Sequence, residues 1–225
     1  MPGYVKIAAV LPARSLDPVE IRILGSLLEK QLTTPEYYPL TLNALAAACN
    51  QKSNREPVTE LSVGEVESAL RRLQDEKLVW RVLGGRAVRF DHNLPSMWHI
   101  DPADRALLTL LFLRGPQTPG ELRSRSDRLY AFEGIEDVEA HLRKRSSGDE
   151  SLMEEMPRRP GQKESRWRQT LGGPAGPESE ERPARVADDE GDGGHEPLSV
   201  RVRRLEEQVD SLSRELKDLK QTLGA

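Results

Sequence analysis

Basic side chains are the residues whose types and spacing suggest chemistry in this chain, and the chemistry is contact with an anionic polymer. Within residues 62–92, SVGEVESALRRLQDEKLVWRVLGGRAVRFDH, Arg71 and Arg72 stand late on an amphipathic stretch, and Arg81, Arg86 and Arg89 flank Gly84-Gly85. Farther along, Arg158, Arg159, Lys163, Arg166 and Arg168 crowd around Trp167. Cations interleaved with an aromatic ring suit phosphate contact combined with stacking or minor-groove insertion. Lys52, Asn54 and Arg55 form a third polar group, which fits a phosphate-contacting turn or a subunit contact. Arg123, Arg125 and Arg128 would extend the second basic segment.

Each group also has a plainer reading. Arg71 and Arg72 can be solvated, and the second segment can be a solvated strand whose two-residue alternation turns Trp167 into the core. Asn and Ser in the 51–55 run can make local turn hydrogen bonds, with Arg55 paired to Glu56 or Glu60. Acids complicate direct base reading. Glu65 and Glu67 open the amphipathic stretch, and Glu136, Asp137 and Glu139 occupy the corresponding place downstream. Phosphates repel such groups, whereas a helix N-terminus favours them.

Catalytic and metal chemistry find little support. Cys49 follows Leu42, Leu45 and Ala46 on one helical face, where a free cysteine acts as a small hydrophobe. His92, His99, His141 and His195 are scattered, and none has metal-ligand spacing with Cys49 or a carboxylate pair. No Gly-rich phosphate loop or nucleophile elbow is present. The expectation is a protein that is not an enzyme and takes no cofactor.

The elements that must position these residues begin at Asp17-Pro18-Val19-Glu20, which combines a helix cap, a proline at the first helical position and the acid of a capping box. Ile21, Leu24, Leu27 and Leu32 follow at helical spacing, and Pro35 and Pro39 end the run. Thr41 caps a second helix. Ser62 and Glu65 box a third, which is expected to bury Val63, Val66, Leu70 and Leu73. Strands are expected over 79–83 and 86–90, joined by the tight two-residue turn Gly84-Gly85. Three helices and a hairpin complete a winged helix-turn-helix.

The order then repeats. Asp101-Pro102 opens a helix with Leu107, Leu108, Leu111 and Phe112 on its core face. Thr118-Pro119 starts a short helix, and Ile135, Val138 and Leu142 mark a third. Strands are expected over 151–156 and 165–171, around a basic tip at 157–164. Such a duplication supports each half. Before the first helix, residues 1–16 read as a lead-in with a short strand at 5–10.

Charge is uneven. Residues 1–100 carry 12 basic and 11 acidic groups, and residues 101–172 carry 13 of each. Residues 173–197 carry 2 basic and 8 acidic groups, so the acidity sits in one Gly- and Pro-rich segment with little to bury. That composition predicts a disordered linker, which if flexible spans roughly 25–30 Å. Leu198, Val202, Leu205, Val209, Leu212, Leu216, Leu219 and Leu223 then alternate spacings of four and three. With Val202, Val209, Leu216 and Leu223 at a and the other four at d, valine at a with leucine at d leans toward a parallel dimer, in which Arg201 faces Glu206 and Glu215 faces Lys220 of the other copy. The helix would be about 40 Å long, and its pairing predicts a homodimer. The single cysteine excludes an internal disulfide framework and fits a reducing compartment. The apolar run at 7–11 is too short for a signal core or a membrane span. The cytoplasm is the expected location, with no membrane partner.

The runs Tyr38-Pro39-Leu40-Thr41-Leu42-Asn43-Ala44-Leu45 and Ala48-Cys49-Asn50-Gln51-Lys52-Ser53-Asn54-Arg55-Glu56-Pro57-Val58 resemble the bacterial YceH family. Arg114-Gly115-Pro116-Gln117-Thr118-Pro119-Gly120-Glu121-Leu122-Arg123 and Pro157-Arg158-Arg159-Pro160-Gly161-Gln162-Lys163-Glu164 extend the resemblance through the second half, over about 155 residues in all. The resemblance implies a tandem winged-helix fold and lends no established activity.

Together these readings predict a mainly α chain with small β-wings. It would hold a lead-in at 1–16, winged-helix domains at 17–95 and 101–172, a disordered acidic linker at 173–197 and a coiled-coil helix at 198–225. The expected function is a dimeric transcriptional regulator contacting the backbone of double-stranded DNA. The alternative is a scaffold that binds another protein through the same tandem fold.

Overall fold

The computed structural model describes residues 9–83, 87–148, 151–158 and 161–173. The expected linker and heptad tail therefore lie outside the described residues, as does most of the strand expected at 5–10. The described chain is a mixed α and β fold, with helices α1 (Pro18–Thr33), α2 (Leu42–Cys49), α3 (Val63–Asp75), α4 (Leu94–Trp98), α5 (Pro102–Arg114), α6 (Pro119–Ser126) and α7 (Ile135–Arg145). Strands β1 (Leu40–Thr41), β2 (Val79–Val82) and β3 (Arg89–His92) form one antiparallel sheet in the order β1-β3-β2. Strands β4 (Met153–Glu155) and β5 (Trp167–Gln169) form a second. No helix among the described residues is long and apolar enough to cross a membrane.

Local chemistry sets the helix starts. Asp17 accepts from the Glu20 N–H at 2.8 Å, and the Glu20 carboxylate accepts from the Asp17 N–H at 2.8 Å. Reciprocal boxes of this kind also start α3 at Ser62, α5 at Asp101 and α6 at Thr118. Each pair satisfies backbone donors that a helix start leaves without partners.

Two helices carry the interior. Residues 20–29 of α1 are all buried, and so are residues 103–104 and 106–113 of α5. A helix buried on every side belongs at the centre of a core rather than on its rim. One contiguous apolar cluster runs from Leu16 through Leu28, Leu70 and Trp98 to Leu108, Phe132 and Leu171, spanning both halves. Where α1 meets α5, Gly25 is in contact so close that a Cβ built there would lie 2.8 Å from Phe112 Cβ and 2.9 Å from Leu113 Cδ2. Trp98 meets Phe112 edge-on at 6.4 Å, which carries the contact into α4.

Several expectations need correction. Val63 is 43% exposed and Ile135 is 46% exposed, because each is the first residue of its helix and sits ahead of the buried face. The first hairpin is not in the register that a two-residue turn at Gly84-Gly85 would set. Val82 pairs with Arg89, so its connection takes in residues 83–88 and β3 is displaced two to three residues along the chain. The register depends on burial. It places Phe90 and His92 in the interior, Phe90 opposite Leu40 of β1 and His92 opposite Val79 of β2. The second-hairpin strands are shorter than expected, three residues each. Cys49 is fully buried, in line with its apolar face. His92 is buried without a hydrogen bond to either ring nitrogen among the described residues, and burial pushes its pKa down to about 4.

The close approach of α1 to α5 is open to a direct test. Gly25→Ala gains about 1 kcal/mol of helix propensity, but overpacking at a rigid contact costs about 1–3 kcal/mol. We expect a net loss of stability, read as a lower urea midpoint with an unchanged m-value.

Candidate nucleic-acid interface and an arginine-lined cleft

The amphipathic helix is α3, and its cations are largely engaged. Glu65 caps its own helix. Its pKa is lowered by hydrogen bonds from the Ser62 hydroxyl and the Ser62 N–H. Arg71, exposed, pairs with Glu67 at 3.1 Å. Arg72 reaches across to the start of α1, where it donates to Glu20 at 2.9 Å and to Asp17. Arg14 grips the same buried Glu20 from the other side at 2.7 and 2.8 Å. Burial alone would raise the Glu20 pKa, but the hydrogen bonds from Arg14, the Asp17 N–H and Arg72 bring it below the ordinary value. Arg72 thus fastens α3 to α1.

The 50–57 turn divides its three candidates. Lys52 is exposed, with no partner among the described residues. Asn54 adopts φ 58°, a left-handed conformation that asparagine tolerates better than most residues, and its Oδ1 accepts from Arg114 at 2.5 Å. Arg55 has a fully buried side chain and donates to Glu29 at 2.6 and 3.1 Å, to the Ala48 carbonyl and to Gln51. Every guanidinium nitrogen of Arg55 is spent inside the protein, so it does not reach a phosphate, and its acid is Glu29 rather than Glu56 or Glu60. Burial pushes the Glu29 carboxyl up, while the hydrogen bonds and charge of Arg55, with Lys30, outweigh it and hold the pKa below the ordinary value. The Glu56 N–H donates to the Leu113 carbonyl at 2.8 Å, which ties the turn to α5.

On the first hairpin, Arg81 is exposed and unpaired among the described residues, Arg86 lies outside them, and Arg89 donates to the Pro39 carbonyl at 2.6 Å. On the second, Arg158 and Lys163 are exposed and unpaired among the described residues, and Arg159 lies outside them. Arg166 pairs with Glu121 at 2.9 Å and Arg168 with Glu154 at 2.5 Å. Trp167 is 4% exposed, and its backbone bonds Gln117 in both directions at 2.7 and 3.0 Å, so it is a core residue and does not stack on a ligand. An exposed aromatic on the first hairpin is Trp80, 49% accessible and next to Arg81, with Leu83 and Val88 exposed on the same hairpin. Two-residue alternation from the buried Val79 points Trp80 outward, a signal present in the sequence. The candidates available to an anion are therefore Lys52, Arg71, Arg81, Arg158 and Lys163, spread over the turn, α3 and the two hairpins.

Folding assembles two further groups that sequence spacing hides. Asp101, Asp104 and His141 each offer a ligand atom within 4.8 Å of the others, a cluster missed because α5 and α7 bring it together. Arg145 donates to Asp104 at 2.7 Å and Lys144 to Asp101 at 3.0 Å, so these carboxylates are already neutralised. The second group surrounds a cleft of about 440 Å³ between α1, the 50–57 turn, α5 and α6, where Arg114, Arg125 and Arg128 converge. Arg114 was not a sequence candidate, since its partner Asn54 lies 60 residues away.

A protein-family model described as "Protein of unknown function, DUF480" matches residues 16–162. A UPF0502 protein of Koribacter versatilis is 48% identical over 157 residues, covering 69% of this chain and 73% of the relative. A UPF0502 protein of Azoarcus sp. is 44% identical over 207 residues, covering 91% and 89%. One from Chromobacterium violaceum is 41% identical over 218 residues, covering 95% and 94%, which leaves most of residues 198–225 inside the match.

The turn chemistry generates a prediction. Arg55→Met leaves Glu29 buried with Lys30 alone, at 3.2 Å, in place of the two-pronged guanidinium contact, and we expect a loss of about 3 kcal/mol, against a change within about 0.5 kcal/mol for Lys52→Ala. Glu29 has a depressed folded pKa, so its pair contributes stability above the ordinary carboxylate range that is lost as pH falls through the folded value. The deficit of Arg55→Met in urea unfolding should therefore narrow as the pH is lowered.

Proposed function

We propose that this chain, which belongs to the DUF480 family, is a dimeric tandem winged-helix protein that contacts double-stranded DNA mainly through its phosphates and acts as a transcriptional regulator without enzymatic activity. The observation that carries the reading is the division of the basic side chains. Arg55, Arg72, Arg89, Arg166 and Arg168 are engaged within the protein, whereas Arg81, Arg158 and Lys163 stand exposed on the two hairpins with no partner among the described residues. Three helices followed by an antiparallel hairpin, occurring twice, fit two winged helices whose wings contact backbone phosphates. The acids at the starts of α3 and α7 disfavour base reading by those helix ends, which leaves the wings as the principal contact.

A scaffold reading has a specific observation in its favour. Trp80, Leu83 and Val88 are each exposed on the first hairpin, and apolar side chains left uncovered on one element offer a partner protein surface to bury.

The salt dependence of binding separates the two. For the proposed contacts, log Kobs for a mixed-sequence duplex falls linearly with log salt, and replacing Arg81, Arg158 and Lys163 together by Ala makes the slope shallower by about 2.7. No binding at 50 mM salt (roughly the low end at which such contacts are strong) rejects the DNA reading in favour of the scaffold.

Dimerisation is assigned to the heptad tail, residues 198–225, on the strength of its a and d pattern. Substituting Leu205 and Leu212 with Asp in the full chain should convert a dimer to a monomer in sedimentation equilibrium. An unchanged mass would mean that the tail is not the dimer element.

A further inference from the structure

We propose that the cleft between α1, the 50–57 turn, α5 and α6 binds a small organic oxyanion, a phosphate or carboxylate carried on an apolar body. The argument begins with charge. Three arginines line the cleft, Arg114, Arg125 and Arg128, and the two carboxylates beside them already have cations of their own. Glu29 is held by Arg55 and Lys30 at 2.6 and 3.2 Å, and Asp127 by Arg123 at 2.5 Å. Arg114 donates only to a neutral group, the Asn54 amide oxygen. Arg125 donates to neutral Gln117 at 2.8 Å and stands 3.8 Å from Glu121, an acid that Arg166 holds closer at 2.9 Å. Arg128 is exposed and has no partner among the described residues. The cleft therefore gathers more positive charge than its acids balance.

Holding it there has a cost. Burial pushes the Arg114 pKa down, and Arg125 and Arg55 push the same way against the opposing charges of Glu56 and Glu29, which leaves it below the ordinary value. A partly buried guanidinium with no carboxylate bonded to it is unfavourable, and an anion placed between Arg114 and Arg125 would relieve both through charge-assisted hydrogen bonds. Leu110, Leu113 and Leu129 supply apolar wall for the rest of the ligand. A volume of about 440 Å³ suits a metabolite-sized molecule. A duplex presents its phosphates on a convex ridge, whereas this site is a concave pocket partly walled by leucines.

The lining comes from both halves: Glu29, Thr33 and Asn54 from the first, α5 and α6 from the second. A ligand there braces the 50–57 turn against α6. That gives the regulator an effector site; the effector role rests on the proposed function, while the binding does not.

The test uses the full chain at constant ionic strength, with phenyl phosphate, benzoate and uncharged phenol as probes of thermal unfolding. At about ten times its Kd, a binding anion should raise Tm by about 3–6 °C, with no rise from phenol. The larger response of the two anions identifies phosphate or carboxylate as the preferred head. Arg114→Gln and, separately, Arg125→Gln should weaken the response at least tenfold in probe concentration, while Arg143→Gln on the exposed face of α7 should leave it intact. Equal responses in wild type and both cleft variants would mean that the anions act generally on stability, and would overturn the proposal. So would the absence of a response to either anion. If Arg114→Gln lowers duplex DNA affinity and duplex displaces phenyl phosphate, the cleft takes a backbone phosphate, and the small-ligand assignment is wrong.

Discussion

Helix α1 lies so near α5 that Gly25 has no room for a methyl group, and both helices are buried along most of their length. Close packing of these two deeply buried helices makes one interior out of the two halves of the described chain. Separate three-helix units joined by a linker would be free to reorient. Here Leu27 and Leu28 share a cluster with Leu107 and Leu108, and the two hairpins are carried on one core. Close-packed interiors deform little, so the spacing between the hairpins is a property of the fold.

Electrostatics then divides the basic side chains into two populations. One fastens elements: Arg72 and Arg14 on Glu20, Arg55 on Glu29, Arg145 on Asp104 and Arg166 on Glu121. Several of the acids are almost wholly buried, and a buried ion pair contributes less to net stability than its short distances suggest, because both partners lose hydration. Its effect is on uniqueness, since any rearrangement would leave a buried charge alone. The other population has no acid to itself among the described residues. It comprises Arg81, Arg158 and Lys163 on the hairpins and Arg114, Arg125 and Arg128 around the cleft, and these residues carry the functional argument. The near balance of charge in residues 1–172 conceals this division, because a net count treats a fastened arginine and a free one alike.

Much of this was decided by the chain's local chemistry. Asp17-Pro18, Thr41, Ser62, Asp101-Pro102 and Thr118-Pro119 start helices wherever they occur, because capping needs only a side chain and the backbone three residues on. Cys49 is buried because its helical face is apolar, and Trp80 is exposed because alternation from Val79 turns it outward.

Tertiary structure alone decided the rest. The pairing of Val82 with Arg89, in place of the register a Gly84-Gly85 turn would set, seats Phe90 and His92 in the core, and no local rule contains that preference. Arg55 looked like a phosphate ligand because its neighbours are polar, yet its acid lies 26 residues away on α1. The link from Arg114 to Asn54 spans 60 residues, and the cleft around it exists only once α1 and α5 have packed. Sequence determines what each residue can bond with and where helices begin. Whether an arginine has found a carboxylate depends on long-range contacts, and that decides which cations remain free for a partner.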